Sequence, residues 1–174
     1  EMEGAITATV GQALLVAFFF GVRWGGNYVS CSMGDSVDMM LMGLIIGIIF
    51  GKVEVAVKAS AVIQLLYIGL IAPGANLPSD PQWAMLVGVL VVCCNPNLTA
   101  DDAAIIAVPC GLLGLQIYNL KRIVMAFWVH KADKAAAEGD TKKIVRYGTL
   151  CAFITNFLMY GVPAFFIALY GLPL

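Results

Sequence analysis

Charge is the scarcest commodity in this sequence. Only 12% of its 174 residues are Asp, Glu, Lys or Arg, against roughly 25% in a typical soluble domain, and 61% are hydrophobic. The net charge is −1 and no basic stripe with interleaved aromatics exists, so nothing supports nucleic-acid binding. Histidine occurs once, at His130. The five cysteines, Cys31, Cys93, Cys94, Cys110 and Cys151, form no CxxC and have no histidines at zinc spacing. Neither a metal nor a disulfide framework is expected, and packing in an apolar core explains them. A nucleophile–base pair and a Gly-rich phosphate loop are missing too, so catalysis by this chain alone and a cofactor are not expected. Glu1 and Glu3 precede the first apolar run and no Lys or Arg comes before Arg23, the reverse of a cleaved secretory signal. No internal repeat is evident.

What the chain has in abundance is uncharged length. Gly4–Val22 (19 residues), Ala59–Ser79 (21), Pro81–Ala100 (20), Ala103–Leu120 (18) and Tyr147–Leu174 (28) carry no charged side chain. A helix of about 20 residues crosses the roughly 30 Å hydrocarbon layer, so several such runs indicate an all-α, polytopic membrane protein.

The run 59–79 contains its own break. In Gln64–Asp80, QLLYIGLIAPGANLPSD, Pro73-Gly74 removes a backbone donor and invites a bend, and Asn76, Ser79 and Asp80 follow. Irregular backbone at membrane depth survives only against protein or around a wet cavity, and interrupted segments mark transporter sites. Gln64, Tyr67, Asn76 and Asp80 are therefore the candidate substrate-binding residues, on a broken or re-entrant element. The plainer reading makes Gln64 an interhelical hydrogen bonder and Tyr67 packing.

Helix punctuation is clear elsewhere. Asp80-Pro81 opens a helix to about Cys94, and Asn95-Pro96-Asn97 stops it. Thr99-Ala100-Asp101-Asp102 is a capping-box pattern starting a helix to about Asn119, with a kink expected near Pro109. Capping is the plainer role of Asp80, Asp101 and Asp102. Ser30–Asp38 reads as a turn. Met39–Gly51 carries Gly43, Gly47 and Gly51 at four-residue spacing, a doubled GxxxG for helix packing. That helix is expected to continue through Lys52 to Lys58, with Glu54 and Lys58 paired near water.

Seven of the ten basic residues lie between Lys121 and Arg146, and none between Ala59 and Leu120. The positive-inside rule puts that window in the cytoplasm, as an amphipathic helix ended by Gly139. Three parts follow: membrane helices and re-entrant segments over 1–120, a cytoplasmic amphipathic connector over 121–146, and a further transmembrane helix over 147–174, bent near Gly161-Val162-Pro163.

Phe127 to Gly139, FWVHKADKAAAEG, resembles the F-x-x-H-x-A-D-K-A-A-x-x-G signature of mannose-class phosphotransferase permeases, specifically the IIC subunit of the mannose, sorbose and N-acetylgalactosamine branch. The GxxxG helix and the Q-L-x-Y-x-G-x-x-x-P-G-x-N-x-P-x-D stretch precede it in the family's order. Mannose-type relatives carry glutamate where Gln64 stands, while sorbose-like and amino-sugar relatives often have glutamine. Family members usually continue through further membrane segments beyond the position of Leu174, which implies a truncated or short relative. The resemblance implies a multi-pass sugar channel of the bacterial inner (plasma) membrane. Its partners would be a hexose or amino sugar, the IID membrane subunit, the cytoplasmic phosphohistidine subunit IIB, the lipid bilayer and two further copies in a trimer. The phosphoryl donor would lie on IIB, leaving His130, Asp133 and Lys134 as a docking patch. Two other readings stay open from the residues: an unrelated secondary transporter with a broken-helix site, and a non-transporting membrane scaffold.

Overall fold

The computed structural model describes residues 8–26, 35–69 and 78–170. Its regular structure is helical throughout: α1 (Val10–Gly26), α2 (Asp35–Phe50), α3 (Val53–Tyr67), α4 (Pro81–Cys94), α5 (Ala100–Ala137) and α6 (Thr141–Tyr170). Pro73, Gly74 and Asn76, the expected break and one candidate site residue, lie outside the described residues.

Close approach of backbones organises the packing. In lipid no hydrophobic force draws helices together, so small residues that let backbones touch carry the association. A Cβ on Gly43 would collide with Ser60, and one on Gly47 would stand 2.8 Å from the Ala56 Cβ and 2.9 Å from the Val53 Cα. These pairings run in opposite directions along the chain, so α2 and α3 form an antiparallel hairpin. Gly51 does not belong to that face. Its φ is +69° and nothing lies within 4 Å of its would-be Cβ. The expected continuous helix to Lys58 is thus corrected: a left-handed Gly51 ends α2, and Lys52 N donates to Gly47 O at 2.8 Å. Glu54 and Lys58 do pair, at 2.7 Å, on an exposed face. Helix α2 also starts four residues inside the expected 30–38 turn.

Helices α1 and α6 pack antiparallel by the same device. A Cβ on Gly21 would meet the Phe157 ring at 2.9 Å, and one on Gly161 would meet Ala17 O at 3.1 Å. Both expected helix starts are present. Pro81 occupies the first turn of α4 behind Asp80, and Asp102 accepts from Thr99 N (2.8 Å) and Thr99 Oγ1 (2.7 Å) at the start of α5. Helix α4 also ends at Cys94, as expected.

Helix α4 is the core. Every residue from Gln82 to Cys94 is buried, with α2, α3, α5 and α6 packed around it. A helix apolar on all sides has no face for water, and Pro81–Cys94 fits that pattern, with protein rather than lipid around it. Its 14 residues span about 21 Å, less than the roughly 30 Å hydrocarbon layer. Gly88 lets it approach Ala103 O of α5, 2.9 Å from a would-be Cβ.

Helix α5 differs from expectation. It contains Pro109, as expected, but runs on for 38 residues through the composition change at Lys121, so no separate amphipathic helix begins there. Nothing between Asn119 and Arg122 breaks a helix, and Lys121 is accommodated by burial instead of exposure. At about 57 Å the helix is longer than the hydrocarbon layer, so one end must stand outside it. It stops where expected, at a left-handed Gly139 (φ +71°). Helix α6 likewise passes through the 146/147 boundary and Pro163. Its residues Arg146–Cys151 form a π-helical turn. Trp128 Nε1 donates to Thr155 Oγ1 at 2.9 Å, tying α5 to α6.

Gly47→Ala is expected to destabilise the protein by about 1–3 kcal/mol through overpacking of the α2–α3 hairpin. Gly11→Ala, where nothing lies within 4 Å, is expected to leave the melting temperature of detergent-solubilised protein unchanged or raised.

Candidate functional site

The polar groups of the membrane domain gather where α4 begins. Asp80 caps α4: its Oδ1 accepts from Gln82 N (2.9 Å) and Trp83 N (3.3 Å), which are unpaired donors at any helix start. Asp80 N donates to Gly111 O of α5 at 3.0 Å, fixing the α4 start against the middle of α5. One residue earlier, Ser79 Oγ hydrogen-bonds the Tyr67 hydroxyl at 3.1 Å. Gly111 makes room for that pair, since a Cβ there would stand 2.5 Å from Ser79 Oγ and 2.7 Å from the Tyr67 oxygen. Tyr67 and Asp80, both expected at the site, are therefore brought together through Ser79. Gln64 lies one turn back from Tyr67 on the same face of α3, half-buried.

Several partners went unread in the sequence. Lys121, expected among the cytoplasmic charges, is only 6% exposed. Its Nζ lies 4.6 Å from the Tyr118 ring centroid and 5.2 Å from that of Tyr160, and it interacts electrostatically with Asp80. Tyr160, fully buried on α6, also faces the Asp80 carboxylate and stacks on Trp83 at 5.7 Å with an 18° interplanar angle. Asn156, one turn before Tyr160, donates from Nδ2 to Ala152 O at 2.7 Å. The signal available was the four-residue spacing of Asn156 and Tyr160 inside an otherwise apolar run.

Buried polar atoms with no hydrogen bond of good geometry among the described residues include Gln64 Oε1, Asp80 Oδ2, Gln82 Oε1, Trp83 Nε1 and Asn156 Oδ1. Each such atom costs about 1–3 kcal/mol if left alone, so they call for an explanation. Asp80, Gln82 and Trp83 stand together at the α4 start. The acceptors in this set suit a ligand that offers hydroxyl donors.

The cavities divide by chemistry. One of about 230 Å³ lies beside Trp83, between Val87, Cys110, Leu113 and Ile167, and is almost wholly apolar. A groove of about 290 Å³ between α1 and α6, lined by Leu14, Phe18, Phe157 and Phe165, is apolar as well. A third, about 270 Å³, sits at the α5–α6 turn and is polar, with Lys131, Lys134, Glu138, Lys143 and Tyr147 around it. His130, Asp133 and Lys134, expected to form a docking patch, are exposed on α5 beside that cup. At its edge Asp140 caps α6, and the hydrogen bond from Lys143 N together with the Lys143 ammonium holds its carboxyl below the usual range. Among the described residues no three His, Cys, Asp or Glu side chains are placed to hold a metal ion.

Two helices, α5 and α6, are long and apolar enough to cross a bilayer, and broad apolar faces such as Ile105, Leu113 and Ile123 are exposed. The class is an all-α membrane protein with a polar centre. Residues 7–174 match the family described as the sorbose-specific IIC component of the phosphotransferase system, and the chain belongs to that family. It is a membrane component of a phosphotransferase permease. No curated protein matches. Among solved structures it is similar to a chain of the cryo-EM complex of the mannose transporter ManYZ with microcin E492. The TM-score is 0.80 at 18% identity, covering 95% of this chain and 65% of that one. A second, titled only as a membrane protein, gives 0.78 at 18% identity, covering 93% and 64%. These likenesses show the fold, and the chain spans just under two thirds of the length of each.

Tyr67→Phe, which deletes the bond to Ser79, is expected to lower stability by about 1 kcal/mol. Thermal melting of the purified protein reads this directly, and no change would place the Tyr67 hydroxyl outside the packed structure.

Proposed function

We propose that this chain conducts a sugar across the bacterial inner membrane as the IIC subunit of a phosphoenolpyruvate-dependent system of the mannose, sorbose and amino-sugar class. The observation that carries the reading is the set of buried polar groups at the start of α4, the Gln82 Oε1 acceptor among them, beside the Tyr67–Ser79 pair, in a family whose members are sugar permease components. Hydroxyl groups of a hexose or amino sugar satisfy such acceptors, and the stacked Trp83 and Tyr160 rings are available as an apolar wall.

Gln64, Tyr67, Asn76 and Asp80 bind the substrate in this reading. Tyr67 and Asp80 are held by Ser79 and Gly111, so the α3 arm and the α4 arm meet on opposite sides of residues 70–77. The chain supplies passage and orientation, and phosphoryl transfer belongs to a cytoplasmic IIB partner. An IID membrane subunit completes the permease, in a trimeric assembly. The exposed His130, Asp133 and Lys134 beside the charged cup offer the cytoplasmic partner a mixed-charge surface.

Co-expression with IID and IIB partners, followed by uptake of a panel of labelled sugars, tests the reading. Uptake should require phosphoenolpyruvate. Gln64→Leu should abolish uptake while membrane insertion and protein level stay normal. Wild-type uptake in that variant removes Gln64 from the site, and uptake driven by an ion gradient alone overturns the proposal.

A further inference from the structure

We infer that Lys121 is a positioning residue of the substrate site, the buried counter-charge that keeps the Asp80 carboxylate in place as a hydrogen-bond acceptor. The inference rests on the sugar-conducting reading above.

Asp80 is 1% exposed and Lys121 is 6% exposed. Charged groups so deep in an apolar domain are costly alone, and their mutual attraction is weakly screened there. Intramembrane charges pair with one another and cluster at functional sites. The geometry leaves Asp80 one orientation. Its Oδ1 is committed to Gln82 N and Trp83 N at the helix start. Its Oδ2 is not used by the cap, and the carboxylate interacts with Lys121 and Tyr160. Lys121 is itself confined, between the faces of Tyr118 on its own helix and Tyr160 on α6.

Three helices thus meet at one carboxylate: α4 through the cap on Oδ1, α5 through Lys121 and α6 through Tyr160. A neutral residue at 121 leaves a buried carboxylate without a cation, which favours the protonated acid. The acid presents a hydroxyl donor where a sugar hydroxyl needs an acceptor. The consequence is weaker substrate binding, separate from any loss of fold.

The test uses the whole subunit with its membrane partner and four variants: Lys121→Met, Lys121→Arg, Asp80→Asn, and the double Asp80→Asn/Lys121→Met. Uptake is normalised to the amount of protein in the membrane, and melting is measured in detergent. Lys121→Met should raise the half-saturating sugar concentration by about tenfold or more, the equivalent of one hydrogen bond to a charged group. The maximal rate per molecule should change less. Lys121→Arg, which keeps the charge, should stay within about threefold of wild type. The double variant should melt higher than the sum of the two single losses predicts, because it removes both buried charges together. An unchanged half-saturation in Lys121→Met overturns the inference, and so does an additive double variant. If wild-type protein takes up no sugar, the sugar-conducting reading fails by itself. The melting cycle still reports whether the two charges are coupled, and additive losses overturn the pairing.

Discussion

The structure depends on a helix start that carries a charge into an apolar interior. Helix α4 is enclosed on every side, and its first turn must be satisfied without water. Asp80 meets that need with one oxygen. A carboxylate buried this way is favoured by a nearby cation, and Lys121 of a neighbouring helix interacts with it. Most of what surrounds α4 follows from those two demands. Gly111 gives up its side chain so that the Ser79–Tyr67 pair and the Asp80 backbone can lie against α5. Tyr118 and Tyr160 present their ring faces to Lys121.

Glycine does the remaining assembly. At Gly43 and Gly47 it brings α2 onto α3, at Gly21 and Gly161 it brings α1 onto α6, and at Gly88 and Gly114 it seats α4 against α5. Each contact is one that a methyl group would push apart. Where these glycines lie, helices touch backbone to side chain or backbone, and large side chains such as Trp83, Leu86 and Leu90 fill the core between them. Other large apolar side chains, such as Ile105, Leu113 and Phe166, face outward, which lipid as a solvent permits.

Local chemistry was legible in the sequence. The starts at Asp80-Pro81 and Thr99, the stop at Gly139 and the pairing of Glu54 with Lys58 depend on residues a few positions apart, and all stand where those residues put them. Tertiary compensation was not legible. Lys121 sits beside Arg122 and heads a basic window, so counting charges along the chain sends it to the surface. Its burial depends on Asp80 and Tyr160, some 40 residues away on either side. The continuity of α5 was missed for the same reason, because a change in composition is not a helix breaker. Gly51 fits a glycine repeat by spacing, but the chain needs a left-handed residue there to reverse direction, and only the fold reveals which use prevails.

The wide turn at Arg146–Cys151 has a geometric consequence for everything after it. A π turn holds an additional residue, and one residue of an α-helix corresponds to about 100° of rotation. The azimuth of the rest of α6 is therefore decided upstream of the polar centre, at the mouth of the helix where Tyr147 stacks on Trp128. Tyr160 meets Trp83 of α4 and Asn156 meets Met125 of α5 on bearings that include that added residue, and with ordinary winding their neighbours would occupy the same bearings. A feature some distance along the helix thus acts as the indexing step that selects which side chains the interior sees.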